Sequence, residues 1–418
     1  MTVVDFEKKR GVRKPPADWR SALVYTKTKS GEKIAGVVSN IITILSCDDP
    51  WVGVIGSNTF AGDRETILRP PPWEAETTPA VAPKRGDTWT DADDTRAAAW
   101  LQRRWSLLIT PEAVGAAVRV IAQKNPFHPV VEYLDSLTWD GKPRIQNWLS
   151  TYLGVAASDY SAAVGQWWLV SAIARVRTPG CKADHVIIFE GKQGKKKSTA
   201  LSVLAGPDWF SDELPELGSK DSYGALQGRW IVELAELDQL NRAETARAKA
   251  FFSATVDRYR PPYGRRVITA PRHCVFAGTV NLEDYLKDDT GNRRFWPVAT
   301  GEIDIEALRR DRDQIWAEAN HAHAHGAKWW PSGDEHQMVG EQQDERFQAD
   351  AWELRISEWL STKTTDFTLG DVLSDPLGLE PGRWTRADQM RVASCLRRLK
   401  CKKQRSMLNG SREMRWSK

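Results

Sequence analysis

His185-Val186-Ile187-Ile188-Phe189-Glu190-Gly191-Lys192-Gln193-Gly194-Lys195-Lys196-Lys197-Ser198-Thr199-Ala200-Leu201 is the stretch whose reading decides the fold. A short apolar run ends at a glycine. A loop with two glycines and four lysines follows, and then a helix-forming segment, Ala200 to Ala205. The order predicts strand, phosphate loop, helix. In such a loop backbone N–H groups point inward and the helix N-terminus adds a positive dipole end. A lysine closing the loop neutralises the outer phosphates, and the next hydroxyl holds Mg²⁺. Those roles fall to Lys197 and Ser198, with Thr199 a second hydroxyl and Gly191, Gln193, Gly194, Lys195 and Lys196 lining the loop. The pattern G-x-x-x-x-G-K-[ST] laid on Gly191 asks for glycine at 196, where this chain has lysine. A glycine lets backbone approach a phosphate closely, so Lys196 either crowds the site or adds a charge to it.

Composition sets the outer bounds. A chain of 418 residues predicts two to four domains. Its 41% apolar and 27% charged residues are ordinary for a soluble globular protein. The net charge of +4 is too small to imply a nucleic-acid partner by itself. Its distribution says more: from Gly382 onward twelve Lys and Arg face two acids, which predicts a polyanion partner for the C-terminal region. Five scattered cysteines without C-x-x-C argue against a disulfide framework or zinc site and for a reducing cytosol. The charged N-terminus does not read as a signal peptide, and no apolar run reaches membrane-spanning length.

Four regions are expected. Residues 1–88 form a small α+β region and a linker, with a short strand at Trp51–Gly56. Residues 89–165 form a helical domain, with helices over 91–104 and 111–124, the second capped by Thr110 with Pro111 at its first turn. Residues 166–335 hold the nucleotide core. Residues 345–418 read as three helices and a strand pair, a winged-helix pattern whose basic helix 385–399 faces nucleic acid. The segment His128 to Arg144 reads as an amphipathic helix, a Trp139-Asp140-Gly141 turn and the next helix start, packing against that core.

A phosphate loop needs an acid on a neighbouring strand to hold Mg²⁺ and polarise water. Trp230-Ile231-Val232-Glu233-Leu234-Ala235-Glu236 supplies two, Glu236 first and Glu233 second, with Glu236 sharing the metal with Ser198. The apolar run Cys274 to Val280 predicts a further strand ending at Asn281, which orients the attacking water, caps the next helix, or does both. Arg293 and Arg294 follow a Thr-Gly-Asn turn. One of them reads as an arginine finger reaching a neighbouring subunit, and a surface ion pair is the alternative. Between the strands, Lys249, Arg258, Arg260, Tyr263 and Arg265 interleave charge with rings, as suits single-stranded nucleic acid; a loop packed on a neighbouring subunit is the alternative. His321, His323 and His325 alternate on a helical segment, so only His321 and His325 share a face and no metal site is expected.

Taken together the chain resembles the virulence-associated E family of phage and mobile-element proteins. The resemblance rests on His128-Pro129 with Tyr133-Leu134, Trp139-Asp140-Gly141, Glu190-Gly191 through Thr199, Glu233-Leu234 with Glu236-Leu237, Asp257-Arg258-Tyr259-Arg260 with Pro262-Tyr263-Gly264, and Gly291 to Trp296. It implies an α/β P-loop ATPase core of the superfamily 3 helicase type, with ATP and Mg²⁺ as cofactors. It implies a homo-oligomeric ring, a hexamer, with sites shared between neighbours, acting on single-stranded or forked DNA beside a primase. The function it implies is an ATP-dependent DNA helicase or translocase in replication of a phage or mobile element. The alternatives are a nucleotide-switched replication-initiation protein that binds DNA without unwinding, and an ATPase in phage interference.

Overall fold

The computed structural model describes residues 16–29, 31–75, 83–235, 242–261, 266–281, 292–345, 351–408 and 411–418. In chain order the strands are β1 (Tyr25–Thr28), β2 (Gly31–Ile34), β3 (Ile55–Asn58), β4 (Arg64–Ile67), β5 (Pro126–Phe127), β6 (Val186–Glu190), β7 (Phe210–Ser211), β8 (Ile231–Leu234), β9 (Val256–Tyr259), β10 (Ile268–Pro271), β11 (Val275–Val280), β12 (Phe295–Ala299), β13 (Lys402–Leu408) and β14 (Ser411–Ser417).

The centre of the chain is an all-parallel sheet in the order β12-β6-β11-β8-β7, covered by helices on both faces. This is the α/β arrangement expected of strands that read as continuous apolar runs. β6 shows why. Ile187 and Phe189 enter one core with the helices Asp159–Arg177, Lys197–Ala205 and Ile305–Ala324, while Val186 and Ile188 enter the opposite core with Phe251 and Phe252 of the helix Arg242–Ser253. Successive side chains alternate faces, so a strand buried on both sides has no polar position to spare.

Three indoles tie the first layer together. Trp168 Nε1 donates to the Phe276 carbonyl at 2.9 Å, Trp230 Nε1 to that of Ala172 at 3.0 Å, and Trp316 Nε1 to that of Leu204 at 2.8 Å. Each buried ring thereby contributes its apolar area while its one donor stays satisfied.

The N-terminal part is grouped differently from the sequence expectation. One core runs from Leu23 to Ala122 and includes Trp51, Trp73, Trp89 and Trp100. The helices Asp91–Trp105 and Pro111–Lys124 therefore pack on the strands before them, and the expected boundary at residue 88 cuts through a single core. The rest of the expected helical domain, from Val130 to Val164, joins the core of the parallel sheet. The strand expected at Trp51–Gly56 is also shifted: Trp51–Val54 is a turn, and β3 starts at Ile55, because Trp51 is needed in the aromatic cluster with Trp73 and Trp100.

The predicted caps hold. Thr110 accepts from Ala113 N at 3.4 Å with Pro111 in the first turn, and Asn125 follows the last turn. The Trp139-Asp140-Gly141 turn packs as read. Arg144 donates to both oxygens of Asp140 at 2.8 Å, and Glu318 accepts from the N–H groups of Arg144 and Ile145 at 2.5 and 3.0 Å. At the C-terminus the helices Ala351–Thr362, Leu369–Ser374 and Arg386–Arg398 are followed by the antiparallel pair β13–β14.

Candidate active site

The loop 191–196 leaves the C-terminal end of β6 and runs into the helix Lys197–Ala205. Gly191 has φ +145°, and a Cβ there would lie 2.8 Å from Thr300 Oγ1, so only glycine fits. Thr300 closes the strand end by donating to the Glu190 carbonyl through its N–H at 2.8 Å and its hydroxyl at 2.7 Å. Lys196 is the residue before the helix and adopts φ 63°, ψ 25°. The left-handed conformation that a glycine would supply is kept, carried by a lysine whose side chain is exposed. That costs about 1 kcal/mol, but the backbone course is not lost.

Lys197 is buried, with 7% exposure, and its ammonium donates to the carbonyls of Gly191 and Lys192. Both acceptors belong to the loop, so the charge is held within its curve. Lys195 pairs outward with the exposed Glu302, whose carboxyl it holds below its usual range. Gln193, Gly194 and Thr199 are exposed.

Ser198 Oγ donates to Glu233 Oε1 at 2.7 Å, and Thr279 Oγ1 donates to the same oxygen at 2.7 Å. Glu233 is the third residue of β8 and is 1% exposed. Its Oε2 has no hydrogen-bond partner. A buried carboxylate with one bare oxygen is costly unless a cation or water completes it. β11 lies between β6 and β8, with Ala277 in register against Ile187 and Glu233. Thr279 was not among the sequence candidates; a hydroxyl inside an otherwise apolar strand is the signal that marks it. Glu236, the first choice from sequence, lies outside the described residues. Asn281 is exposed just past the end of β11.

These elements converge because parallel strands bring their C-terminal ends to one edge of the sheet, where ligands bind in open α/β folds. Lys197, Ser198, Glu233, Thr279 and Asn281 all belong to that edge. A divalent cation fits the donor set of Ser198 Oγ and the bare Glu233 Oε2: two hard oxygen donors beside a lysine-rich loop suit a cation that keeps several waters and takes further oxygens from a phosphate. Among the described residues there is no cluster of three or more His, Cys, Asp or Glu able to hold a metal without such a partner.

Across this chain a family model described as the virulence-associated protein E-like domain matches residues 134–348, half of its length. The chain belongs to the virulence-associated protein E-like family. The matched span of this VapE-like protein contains the loop, Glu233, Asn281 and both arginines. No curated protein matches. Among solved structures, an apo A form of the NrS-1 C-terminal region is 14% identical, covers 68% of this chain and 77% of its own, and superposes with a TM-score of 0.40. Another apo structure of that region gives 13% identity, the same coverage and a TM-score of 0.39.

Other sequence candidates lie elsewhere on the VapE-like protein. Arg293 and Arg294 precede β12, whose first residue pairs with the first residue of β6. They stand at the opposite edge of the sheet from the loop, about 16 Å away along a five-residue strand. Neither shares the edge of its own loop. Arg294 Nε donates to Ser253 Oγ at 2.7 Å and lies 3.5 Å from Asp184, while Arg293 is exposed.

The predicted nucleic-acid residues divide. β9 and β10 form an antiparallel hairpin, and the alternation of β9 leaves Arg258 exposed and turns Asp257 and Tyr259 inward, with Arg260 exposed just after it. Tyr263 and Arg265 lie outside the described residues. Lys249 is a correction. It is 5% exposed, on the inner face of its helix with its ammonium 5.7 Å from the Phe295 ring, because that face is the one packed on the sheet. It does not belong to the outer surface. The hairpin is anchored by Arg272, which donates to both oxygens of Asp257 at 2.7 and 2.8 Å, with both side chains 1% exposed.

The histidine segment carries no metal site among the described residues. His321 and His325 stack at 4.0 Å, with Trp139 4.8 Å from His321. No helix among the described residues is long and apolar enough to cross a membrane.

Proposed function

We propose that this VapE-like protein is an ATP-driven DNA helicase or translocase serving replication of a phage or mobile genetic element. One observation carries the reading above the others. The hydroxyl after the loop lysine, Ser198, is hydrogen-bonded to a buried acid two strands away whose second oxygen is bare. A structural carboxylate would satisfy both oxygens; one left half-satisfied at the ligand edge of a parallel sheet suits a site completed by substrate.

In this reading the loop is a P-loop. Lys197 exchanges the loop carbonyls for phosphate oxygens. Ser198 holds Mg²⁺, with Glu236 as the further ligand expected from sequence. The cation, when bound, neutralises charge on the outer phosphates. Glu233, through its bare Oε2, would hold that cation or one of its waters and polarise the attacking water, and Asn281 at the end of the intervening strand would orient it. One of Arg293 and Arg294, which stand about 16 Å from their own loop, would act on the nucleotide of a neighbour in a ring of copies. Arg258 and Arg260 of the β9–β10 hairpin contact single-stranded DNA, and the C-terminal helices and hairpin act as a winged helix.

The test is ATP hydrolysis by the full chain with and without single-stranded DNA. Turnover stimulated by DNA and abolished by Lys197→Ala supports the reading; no turnover in the presence of DNA ends it. A second reading, a nucleotide-switched initiation protein that does not unwind, draws on Lys196 in the place of glycine and on the Lys197 ammonium turned onto its own loop. ATP-dependent binding to duplex without displacement of a forked strand would favour it.

A further inference from the structure

A cavity of about 710 Å³ opens at the edge of the sheet opposite the loop. It is walled by the segment before β6, the turn before β12 and the segment after the helix Ile305–Ala324, including Lys182, Arg293, Arg294, Trp329, Trp330 and His336. The loop of the same chain lies at the other edge of the sheet, and of this lining only the arginine pair enters the proposed function, one of the two reaching toward a neighbour's nucleotide.

Its chemistry is uneven in an informative way. Trp329 is fixed: its Nε1 donates to the Lys182 carbonyl at 2.9 Å. Trp330 stands edge-on to it at 4.7 Å and 88°, and is 43% exposed. A large ring left that open beside a cavity is a stacking surface held in place by its neighbour. Three cations face the same space. Among the described residues the one acid lining it, Asp184, is already countered by Arg294 at 3.5 Å, so Lys182 and Arg293 leave an excess of positive charge there. His185 does not add to that charge, since burial in its stack on Trp296 pushes it down to about 4. An aromatic platform and two cations with no counter-charge among the described residues, around a volume in the range of small-ligand pockets, fit an aromatic ring joined to a phosphate.

We propose that this cavity is a second nucleotide-binding site, separate from the loop, in which a nucleobase stacks on Trp330 and its phosphate meets Lys182 and Arg293. The same chemistry is offered by a free mononucleotide and by a nucleotide unit of a single DNA strand.

The experiment uses the full chain carrying Lys197→Ala, which silences the loop. It is photolabelled in one arm with 8-azido-ATP and in the other with a short single strand containing 5-iododeoxyuridine, and labelled peptides are mapped. Labelling of the peptide holding Trp329 and Trp330 by the azidonucleotide assigns the site to free nucleotide; labelling by the strand alone assigns it to DNA. Trp330→Ala and, separately, Lys182→Glu should each lower that labelling about tenfold, the effect expected of losing one stacked base or phosphate contact. Both residues are exposed, so both variants should fold. No label on this peptide in either arm, or labelling indifferent to both variants, overturns the proposal. Because the readout is at this peptide, the outcome is independent of whether the loop hydrolyses ATP.

Discussion

Ser198 and Glu233 lie on elements separated by a whole strand, yet their side chains meet at 2.7 Å. The hydroxyl takes one carboxylate oxygen and leaves the other bare within the core. That half-satisfied acid has two opposite consequences for one substitution. Glu233→Gln removes a buried charge, so the melting temperature should rise by a degree or more. On the proposed function the same change also removes the group that polarises water, so ATP turnover should fall by roughly a hundredfold or more while nucleotide binding persists. Differential scanning fluorimetry and a hydrolysis assay read the two effects. A variant that is less stable and still active would show Glu233 to be structural.

Gly191 and Gly194 predict a contrast. At Gly191 an added Cβ meets Thr300 Oγ1 at 2.8 Å, whereas at Gly194, with φ +82°, nothing lies within 4 Å. Gly194→Ala should cost about 1 kcal/mol from its positive φ alone. Gly191→Ala should cost about 2–4 kcal/mol, because Thr300 cannot retreat without giving up its bonds to the Glu190 carbonyl. Denaturant unfolding of the two variants compares them. Equal losses would mean that Thr300 moves aside.

The Arg272–Asp257 pair sits in the core with both partners bonded to each other. Arg272→Met strands the Asp257 carboxylate and should cost about 3–5 kcal/mol. Arg272→Met combined with Asp257→Leu should recover much of that loss, since no bare charge remains. Hydrogen exchange should locate the damage of the single variant at β9 and β10. If the double variant is as unstable as the single, the pair does more than neutralise itself.

His128 and His273 make stability depend on pH. His128 Nδ1 accepts from Val131 N at 3.3 Å as a helix cap, which places its proton on Nε2, 3.0 Å from His273 Nδ1. Burial, reinforced by the facing ring, pushes His128 down to about 3, and burial with Arg175 nearby pushes His273 down to about 4. Both fold as neutral rings, while in the unfolded chain they titrate near 6.5. As the pH falls through 6.5 the unfolded state takes up protons that the folded state refuses, so stability is lost from there down to about 4. The two rings together should cost on the order of 3 kcal/mol across that window after allowing for their partial exposure. Melting temperature against pH gives the curve, and His273→Gln should roughly halve its slope. A flat profile between 6.5 and 4 would rule the pair out.

The elements of the parallel sheet were legible because β6 and β11 read as unbroken apolar runs and because Gly191 and Lys197 mark the turn into a helix. The partner of Ser198 was legible only as a choice. Alternation puts Glu233 and Glu236 on opposite faces of an ideal strand, but β8 stops at Leu234, and which acid meets Ser198 depends on the stagger of β6, β11 and β8. That stagger is a long-range property. At Lys196 the sequence leaves open whether the lysine crowds the site or adds a charge to it; the backbone there takes the left-handed conformation that a glycine would supply, which no local pattern foretells. Lys249 misled. Its neighbours are basic and aromatic, but helix periodicity turned it toward Phe295. The aromatic cluster of the N-terminal core, assembled from Trp51, Trp73, Trp89 and Trp100, leaves no local trace that would have moved the boundary from residue 88.

The indoles of Trp168, Trp230 and Trp316 act as bolts. Trp168 and Trp230 fasten the helix Asp159–Arg177 to the sheet and Trp316 fastens the helix Ile305–Ala324 to the helix Lys197–Ala205, each through a single donor that phenylalanine lacks. Layers fastened this way resist sliding, so the body of the sheet is suited to transmit force and poorly suited to generate it by flexing. On the proposed function, a stroke is therefore expected at its margins, where Arg258 and Arg260 lie on the hairpin, and not within the sheet.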